Sequence, residues 1–430
     1  MSAKLNLTNE NYCATVVRAA PLLKLDGLDN LVAFPIYGFQ ALIGKNTQDG
    51  ELGILFTAEC QLSPDFCKNN NLYTDQLLNT DTTVKGYIST KRRVRSIRLR
   101  GHDSSALFMP LSSLIYTGAD LSGLKEGEQF NEINGIEICT KYVIVHQRGS
   151  GQGKQKQKRK SVLTKKKMVA KLFPEHIDTT HWAKSAHLFD DDQELIIVNK
   201  LHGTSVRLTH QEVTYFPKWV QKFPYWFAKY FRKTKWETIA GSRRVVKLVD
   251  DTEKQSYYNT DVYNQELRNI AHIIPKRWII FGEIIGWAGE REIQKNYSYN
   301  VPQGEHRLYV YRIAVINDDG IMIDLHWDQV VLFCKTNGLA WCPELWRGKK
   351  RDLVIDNFMD IKFFESGYQN CPKLGKNAPC DEGVVVRIEG GLGPRYFKAK
   401  SPVFLNHETK MLDLDVVSLE DEQGDETTVE

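Results

Sequence analysis

The chain has 430 residues, of which 42% are hydrophobic, 26% charged and 11% aromatic, with a formal net charge of +4. At about 150 residues per domain this predicts two or three domains with sizeable cores, and it excludes a peptide, a stapled mini-protein and a disordered or collagen-like chain. The longest uncharged stretches, Leu31 to Gly44 and Ser104 to Ala119, fall short of the roughly 18 apolar residues a membrane span requires, and Lys4, Asn9 and Glu10 interrupt any apolar leader; a cytoplasmic protein with no membrane partner is expected.

Residues 1–147 carry short β-type runs at Leu31 to Ile43, Leu52 to Ala58, Val84 to Ile88, Val94 to Leu99 and Ile138 to Val145, separated by Gly, Asn and Asp clusters. This pattern predicts a small β-barrel. Lys91, Arg92, Arg93, Arg95, Arg98 and Arg100 crowd one run, where they either line a phosphate-facing groove or protect an exposed edge. Residues 148–171 hold ten Lys/Arg and no acid among Gly, Ser and Gln. That is the composition of a solvated linker, which either neutralises nucleic-acid phosphates or merely solubilises the chain.

Residues 172–412 alternate β-runs with helical stretches, as in an α+β domain. Strands are predicted at Leu195 to Val198, Val206 to Leu208, Val245 to Val249, Trp278 to Ile285, Leu308 to Ile316, Gly383 to Ile388 and Tyr396 to Ala399, with a helix at Asp261 to Ala271. Between Thr214 and Trp236, the rings of Tyr215, Trp219, Phe223, Trp226 and Tyr230 recur at helical spacing among lysines and arginines. Core packing is the main expectation for them, with base stacking as a second reading. Residues 413–430, with eight acids and no base, read as a disordered tail. Eight scattered cysteines show no metal-like spacing and read as free thiols in a reducing compartment.

Four polar clusters beside apolar strands carry chemistry. Lys200 ends one β-run and is followed by His202, Gly203, Thr204, Ser205 and Arg207. Glu283 sits inside the apolar run Phe281 to Gly286, where an unpaired carboxylate is costly. Asp381 and Glu382 open the run Gly383 to Arg387. Lys398 and Lys400 share one face of the last strand, which implies an anion between them. The set describes a nucleoside triphosphate site: a lysine nucleophile, carboxylates for a hydrated divalent metal, and two lysines for a phosphate. A free lysine is protonated at pH 7, so the pKa of Lys200 is expected to be lowered by Lys398, Lys400, Arg207 and a bound cation.

In order and separation these clusters resemble motifs I (K-x-x-G, Lys200 to Gly203), IIIa (Phe281 to Gly286), IV (Asp381 to Arg387) and V (K-x-K, Lys398 to Lys400) of the covalent nucleotidyltransferases, which comprise ATP-dependent RNA and DNA ligases and mRNA capping enzymes. Glu194, Gly241 to Arg244 and Leu308 to Ile313 fill further positions. His202 departs from the family, where Asp is commonest. The resemblance covers residues 180–405 and implies an α+β fold, an ATP-grasp-like domain of antiparallel sheets with helices. Only 30 residues follow Lys400, so no C-terminal OB-fold domain is expected; the β-rich N-terminal region is similar to the OB-fold domain of RNA ligases that seal 3′-OH/5′-phosphate nicks.

The resemblance further implies Lys200 as nucleophile, with Glu382 and Glu283 for the metal and its water shell, Lys398 and Lys400 for the α-phosphate, Tyr311 (or Tyr309, on the same face) for adenine stacking, Arg207 and Arg243 for ribose or phosphate, and His202 and Gly203 at the nucleotide. ATP, Mg2+ or Mn2+, and RNA as a nicked duplex or broken ends are the implied cofactors and partner, with no obligate protein partner. A DNA ligase, a capping guanylyltransferase and a catalytically dead nucleic-acid-binding module are the competing expectations.

Overall fold

A computed structural model describes residues 3–143, 172–176, 178–217, 219–220, 223, 225–243, 246–247, 261–390 and 393–414. The basic linker at 148–171 and the tail beyond residue 414 lie outside the described residues. The fold is α+β and built mainly from antiparallel sheets.

The functional residues sit on two sheets. Their strands are β1 (Glu194–Asn199), β2 (Thr204–Tyr215), β3 (Lys233–Ser242), β4 (Trp278–Ala288), β5 (His306–Ile316), β6 (Glu344–Lys349), β7 (Gly383–Ile388) and β8 (Arg395–Lys400). The smaller sheet has the order Thr180–His181, β8, β7, β1, β6, and only its first pair is parallel. The larger runs through Val246–Lys247, β3, β2, β4, β5 and Met322–Asp324. Between the end of β1 and the start of β2 lie only residues 200–203, so the chain crosses from one sheet to the other at Lys200.

Three helices matter to the site: α1 (Val262–Ile270), α2 (Trp327–Asn337) and α3 (Pro402–Asp413). The helix read at Asp261 to Ala271 is α1, and Asp261 caps it by accepting from the Asn264 amide. α3 begins with the strongest local signal of the three, a Ser401 hydroxyl accepting from Phe404 N at 3.1 Å and Pro402 in its first turn. The largest core cluster joins apolar residues of β2, β4 and β5 with α1, α2 and Phe404 of α3.

The N-terminal region is β-rich, as expected, but three runs differ from their sequence reading. Leu31 to Ile43 is not one strand but a hairpin, Leu31–Ile36 with Phe39–Gly44, turned by Gly38 at a φ of 73°. Val84 to Ile88 forms only a single bridge, Tyr73 to Ile88, and the strand expected from Val94 is confined to Ile97–Leu99. Both runs are interrupted by polar residues, so neither can bury a continuous face. The described strands here make a four-stranded sheet, a three-stranded sheet and pairs. Asp413, read as the first residue of the tail, is the last residue of α3.

The aromatic segment departs furthest. Tyr215 ends β2, and only Tyr225–Ala228 is helical, followed by a 3-10 turn at Lys229–Phe231. Trp219, Phe223, Trp226 and Tyr230 are exposed rather than in the core. With Pro217 and Pro224 in the run, a helix long enough to bury that stripe does not form.

Candidate active site

Lys200 follows β1 and is fixed by its amide, which donates to the Gly383 carbonyl at 3.0 Å. That bond ties the end of β1 to the start of β7, and Glu382 immediately precedes β7. The Lys200 ammonium therefore lies 2.8 Å from Glu382. Lys400, at the end of β8, reaches the same carboxylate at 3.6 Å, and His202 Nδ1 lies 3.5 Å from its other oxygen. One buried carboxylate thus faces two lysines and a histidine.

Burial pulls the Lys200 ammonium toward the neutral form, but Glu382 overrides it, and the pKa of Lys200 is raised. This corrects the expectation of a lowered value. Lys398 and Lys400 do oppose the Lys200 charge as expected, whereas Arg207 does not, and the nearest charge is a carboxylate at contact distance. Glu382 in turn is held well below the ordinary carboxylate range, against its burial, by Lys200 and Lys400. Lys398 is pushed down to about 7 by burial and by Lys400, Lys200 and Arg243. Lys400 is held high despite burial, because Glu408 of α3 accepts from it with both oxygens at 2.9 and 3.1 Å.

Glu283 lies on β4 opposite Ser205 of β2. Its two oxygens accept from the Gly203 amide at 3.0 Å and the Ser205 hydroxyl at 3.2 Å. It thereby shapes the turn after Lys200. Gly203 is obligatory there, since a Cβ would lie 2.2 Å from the Ile284 carbonyl oxygen. The His202 ring packs edge-on against Tyr297 and Phe404, each at 4.9 Å between centroids. An Asp at this position would set a second carboxylate beside Glu382; the histidine avoids that repulsion.

A cavity of about 550 Å³ brings together Lys200, His202, Gly203, Arg243, Glu283, Tyr311, Glu382, Lys398 and Lys400. This is room for a nucleotide. Arg207 is not among its lining residues. It is fully buried, stacks at 4.4 Å on the Phe173 ring, and donates to the carbonyls of Ser242, Phe173 and Pro174. Between Tyr309 and Tyr311 the structure chooses Tyr311. The pairing of β4 with β5 shifts register between Phe281 and Gly282, whose partners are Arg312 and Val310, so Tyr311 is bulged out of the alternation and lines the cavity while Tyr309 does not. Arg243 pairs with Asp178.

Several lining residues had no sequence signal. Tyr12, Glu59, Lys141 and Tyr142 come from the N-terminal region, and His407 and Glu408 from α3. Tyr299 accepts from the His202 amide at 2.7 Å and Gln294 donates to the Gly203 carbonyl at 2.7 Å, bracing the turn after Lys200 from a loop 91 to 97 residues on. Among the described residues no cluster of three or more His, Cys, Asp or Glu forms a metal site. No helix among them is long and apolar enough to cross a membrane. All eight cysteines are free and buried, as their spacing suggested.

The sequence model of the RNA ligase family matches residues 193–400, the segment that carries every motif strand of this cavity. The segment belongs to the RNA ligase family. The fold around this RNA ligase segment is similar to Naegleria gruberi RNA ligase with PPi, at a TM-score of 0.57 and 17% identity over 94% of this chain and 100% of that one. It is also similar to a lysine-to-alanine variant of the Naegleria gruberi enzyme with ATP and Mn (TM-score 0.55, 15% identity, 94% and 99% covered). A lysine-to-methionine variant with AMP and Mn gives 0.56 and 15%, with 92% and 98% covered. Comparison with curated protein sequences found no match.

Proposed function

We propose that the protein is an ATP-dependent RNA ligase that joins 3′-OH and 5′-phosphate ends through a lysyl-AMP on Lys200. The observation that carries this reading is the grouping of Lys200, Glu382, Lys398 and Lys400 within one nucleotide-sized cavity of an RNA ligase family segment. Similarity to ligases solved with ATP, AMP and Mn supports ATP and a divalent cation as its cofactors.

The first step follows from the charges. Lys200 must be neutral to attack, and Glu382 is what holds it charged. With Glu382 engaged elsewhere, Lys400 and Lys398 would oppose the Lys200 ammonium and favour the free amine. The amine then attacks the α-phosphorus. A nitrogen–phosphorus bond forms, the bond to the bridging oxygen breaks, and pyrophosphate leaves with that electron pair. Lys398 and Lys400 neutralise the phosphate oxygens, and Tyr311 offers a ring for the base. AMP then passes to an RNA 5′-phosphate, and attack by a 3′-OH releases it.

Glu382, with one oxygen lacking a hydrogen-bond partner, fits a divalent cation that takes its remaining ligands from water and substrate phosphates. Such a cation would supply charge neutralisation on the triphosphate. Glu283 is the weaker candidate, because both its oxygens already hold the Gly203 and Ser205 turn. We read residues 1–147 as an OB-like RNA-binding domain joined to the catalytic domain at 172–412 by the basic segment.

The test is α-labelled ATP or GTP with a divalent metal, followed by denaturing electrophoresis of wild type and Lys200→Ala. Label from ATP on wild type, absent from the variant, is expected, together with sealing of an RNA nick. Label from GTP alone, or sealing confined to all-DNA nicks, would overturn the reading.

A further inference from the structure

The exposed aromatic cap at the far end of β2 and β3 is used by neither the core nor the active site. From Thr214 to Trp236 the sequence has six Lys/Arg and no Asp or Glu. Trp219, Phe223, Trp226, Tyr230 and Phe231 all rank among the exposed large hydrophobic side chains, Trp226 at 67% and Tyr230 at 75%. Leaving such rings in water forfeits burial that a fold normally takes. The rings also brace each other. Trp219 meets Phe231 at 5.0 Å, and Phe227 meets Phe223 at 5.0 Å and Phe231 at 5.2 Å. Trp226, edge-on to Phe227 at 6.0 Å, and Tyr230 are the most exposed of these rings.

Cations lie on the rings rather than apart from them. Lys229 is 5.1 Å from the Tyr230 ring, Lys235 is 5.7 Å from Tyr215, and Lys276 is 4.7 Å from Trp236. Among the described residues the acids nearby include Glu237, which pairs with Lys235 at 3.1 Å, exposed Glu212, opposite Trp236 in the sheet, and Asp318, which pairs with Arg277 beside Trp236. Resting on the ligase reading, we propose that this cap holds an unpaired stretch of the RNA substrate, with bases stacking on Trp226 and Tyr230 and phosphates meeting Lys229, Arg232 and Lys233. Stacking on exposed rings among cations is how single strands are held without sequence preference. A bilayer is the poorer occupant. The segment has no Leu or Ile, its Val220 is buried, and rings and cations interleave where an interfacial helix would segregate them onto opposite faces.

β2 spans 12 residues from the active site to the cap, or roughly 35 Å at strand rise, so only a substrate with an extension beyond the nick reaches it. The test compares the full-length wild type with Trp226→Ala/Tyr230→Ala and Trp226→Phe/Tyr230→Phe, measuring binding to nicked RNA duplexes with and without a long single-stranded extension. Wild type is expected to bind the extended substrate more tightly. The alanine pair should lose that gain, weakening binding about tenfold or more, while the phenylalanine pair keeps most of it and both still form the lysyl adenylate. Equal binding of extended RNA by wild type and the alanine pair, with adenylate formed in both, would overturn the cap proposal alone. Unchanged RNA binding with lost sedimentation on phosphatidylserine vesicles would assign the cap to a membrane. Failure of wild type itself to form the adenylate would overturn the ligase reading on which the proposal rests.

Discussion

Lys398 shows at the scale of one side chain how burial and like charge set a working pH. With its amine at about 7 in the free protein, it is half charged near neutrality. A bound phosphate favours the ammonium, so its pKa rises on binding. Nucleotide affinity is therefore full below pH 7 and falls as pH climbs from 7 toward the bound pKa, by up to about tenfold per unit. Titration calorimetry with ATP between pH 7.5 and 9, where the charge of ATP itself is constant, should show this fall with proton uptake on binding. Lys398→Arg, charged throughout, should flatten it. A wild-type affinity independent of pH in this range would remove Lys398 from the phosphate site.

At the scale of elements, the site depends on how closely β2 approaches its sheet neighbour β4 at one turn. Gly203 sits where β2 leaves that turn, against the Ile284 carbonyl of β4. Any added Cβ must push β2 away from β4, and with it the Gly203 amide from Glu283. Gly203→Ala should cost about 1–3 kcal/mol in a urea titration and slow lysyl-nucleotide formation by an order of magnitude or more. Retention of both would mean that the turn is more adaptable than its contacts indicate. The β5 bulge belongs to the same scale: one register shift decides which of two tyrosines lines the cavity.

Over the whole molecule, α3 is one of the pieces that join the N-terminal region to the active site. Arg93, almost fully buried, donates to Asp413 at 2.5 Å and to the Thr409 carbonyl at 3.1 Å, and lies 3.6 Å from Glu59. Five residues before Asp413, Glu408 holds Lys400. Burial pushes Glu59 up to about 7 even with Arg93 opposing it, so losing the guanidinium strands a buried carboxyl. Arg93→Ala should destabilise the protein by about 3–5 kcal/mol, seen as a lowered urea midpoint, and should weaken lysyl-nucleotide formation through α3. A midpoint unchanged from wild type would show that the two regions do not support each other.

Much of the site was legible in the sequence because it follows strand edges. Glu283 interrupts an apolar β-run, Lys200 and Glu382 bound such runs, Lys398 and Lys400 share one face of the last strand, and a charge in such a place needs a partner. β1, β4, β5 and β7 were legible because their runs are nearly continuous and apolar, and β8 because its two lysines alternate with Phe397 and Ala399. Local pattern misjudged Arg207, whose charge is answered by backbone carbonyls at a chain crossing, and the aromatic cap, whose helical spacing described no long helix. The lining from Tyr12, Glu59, Lys141 and Glu408 was invisible, because nothing local marks a residue that acts only across a long sequence separation. By itself the sequence determined which side chains carry charge into apolar strands, a property of neighbours along the chain. Only the tertiary structure decided which of those charges meet, since distance and burial fix whether a lysine is an ammonium paired to Glu382 or an amine near pH 7.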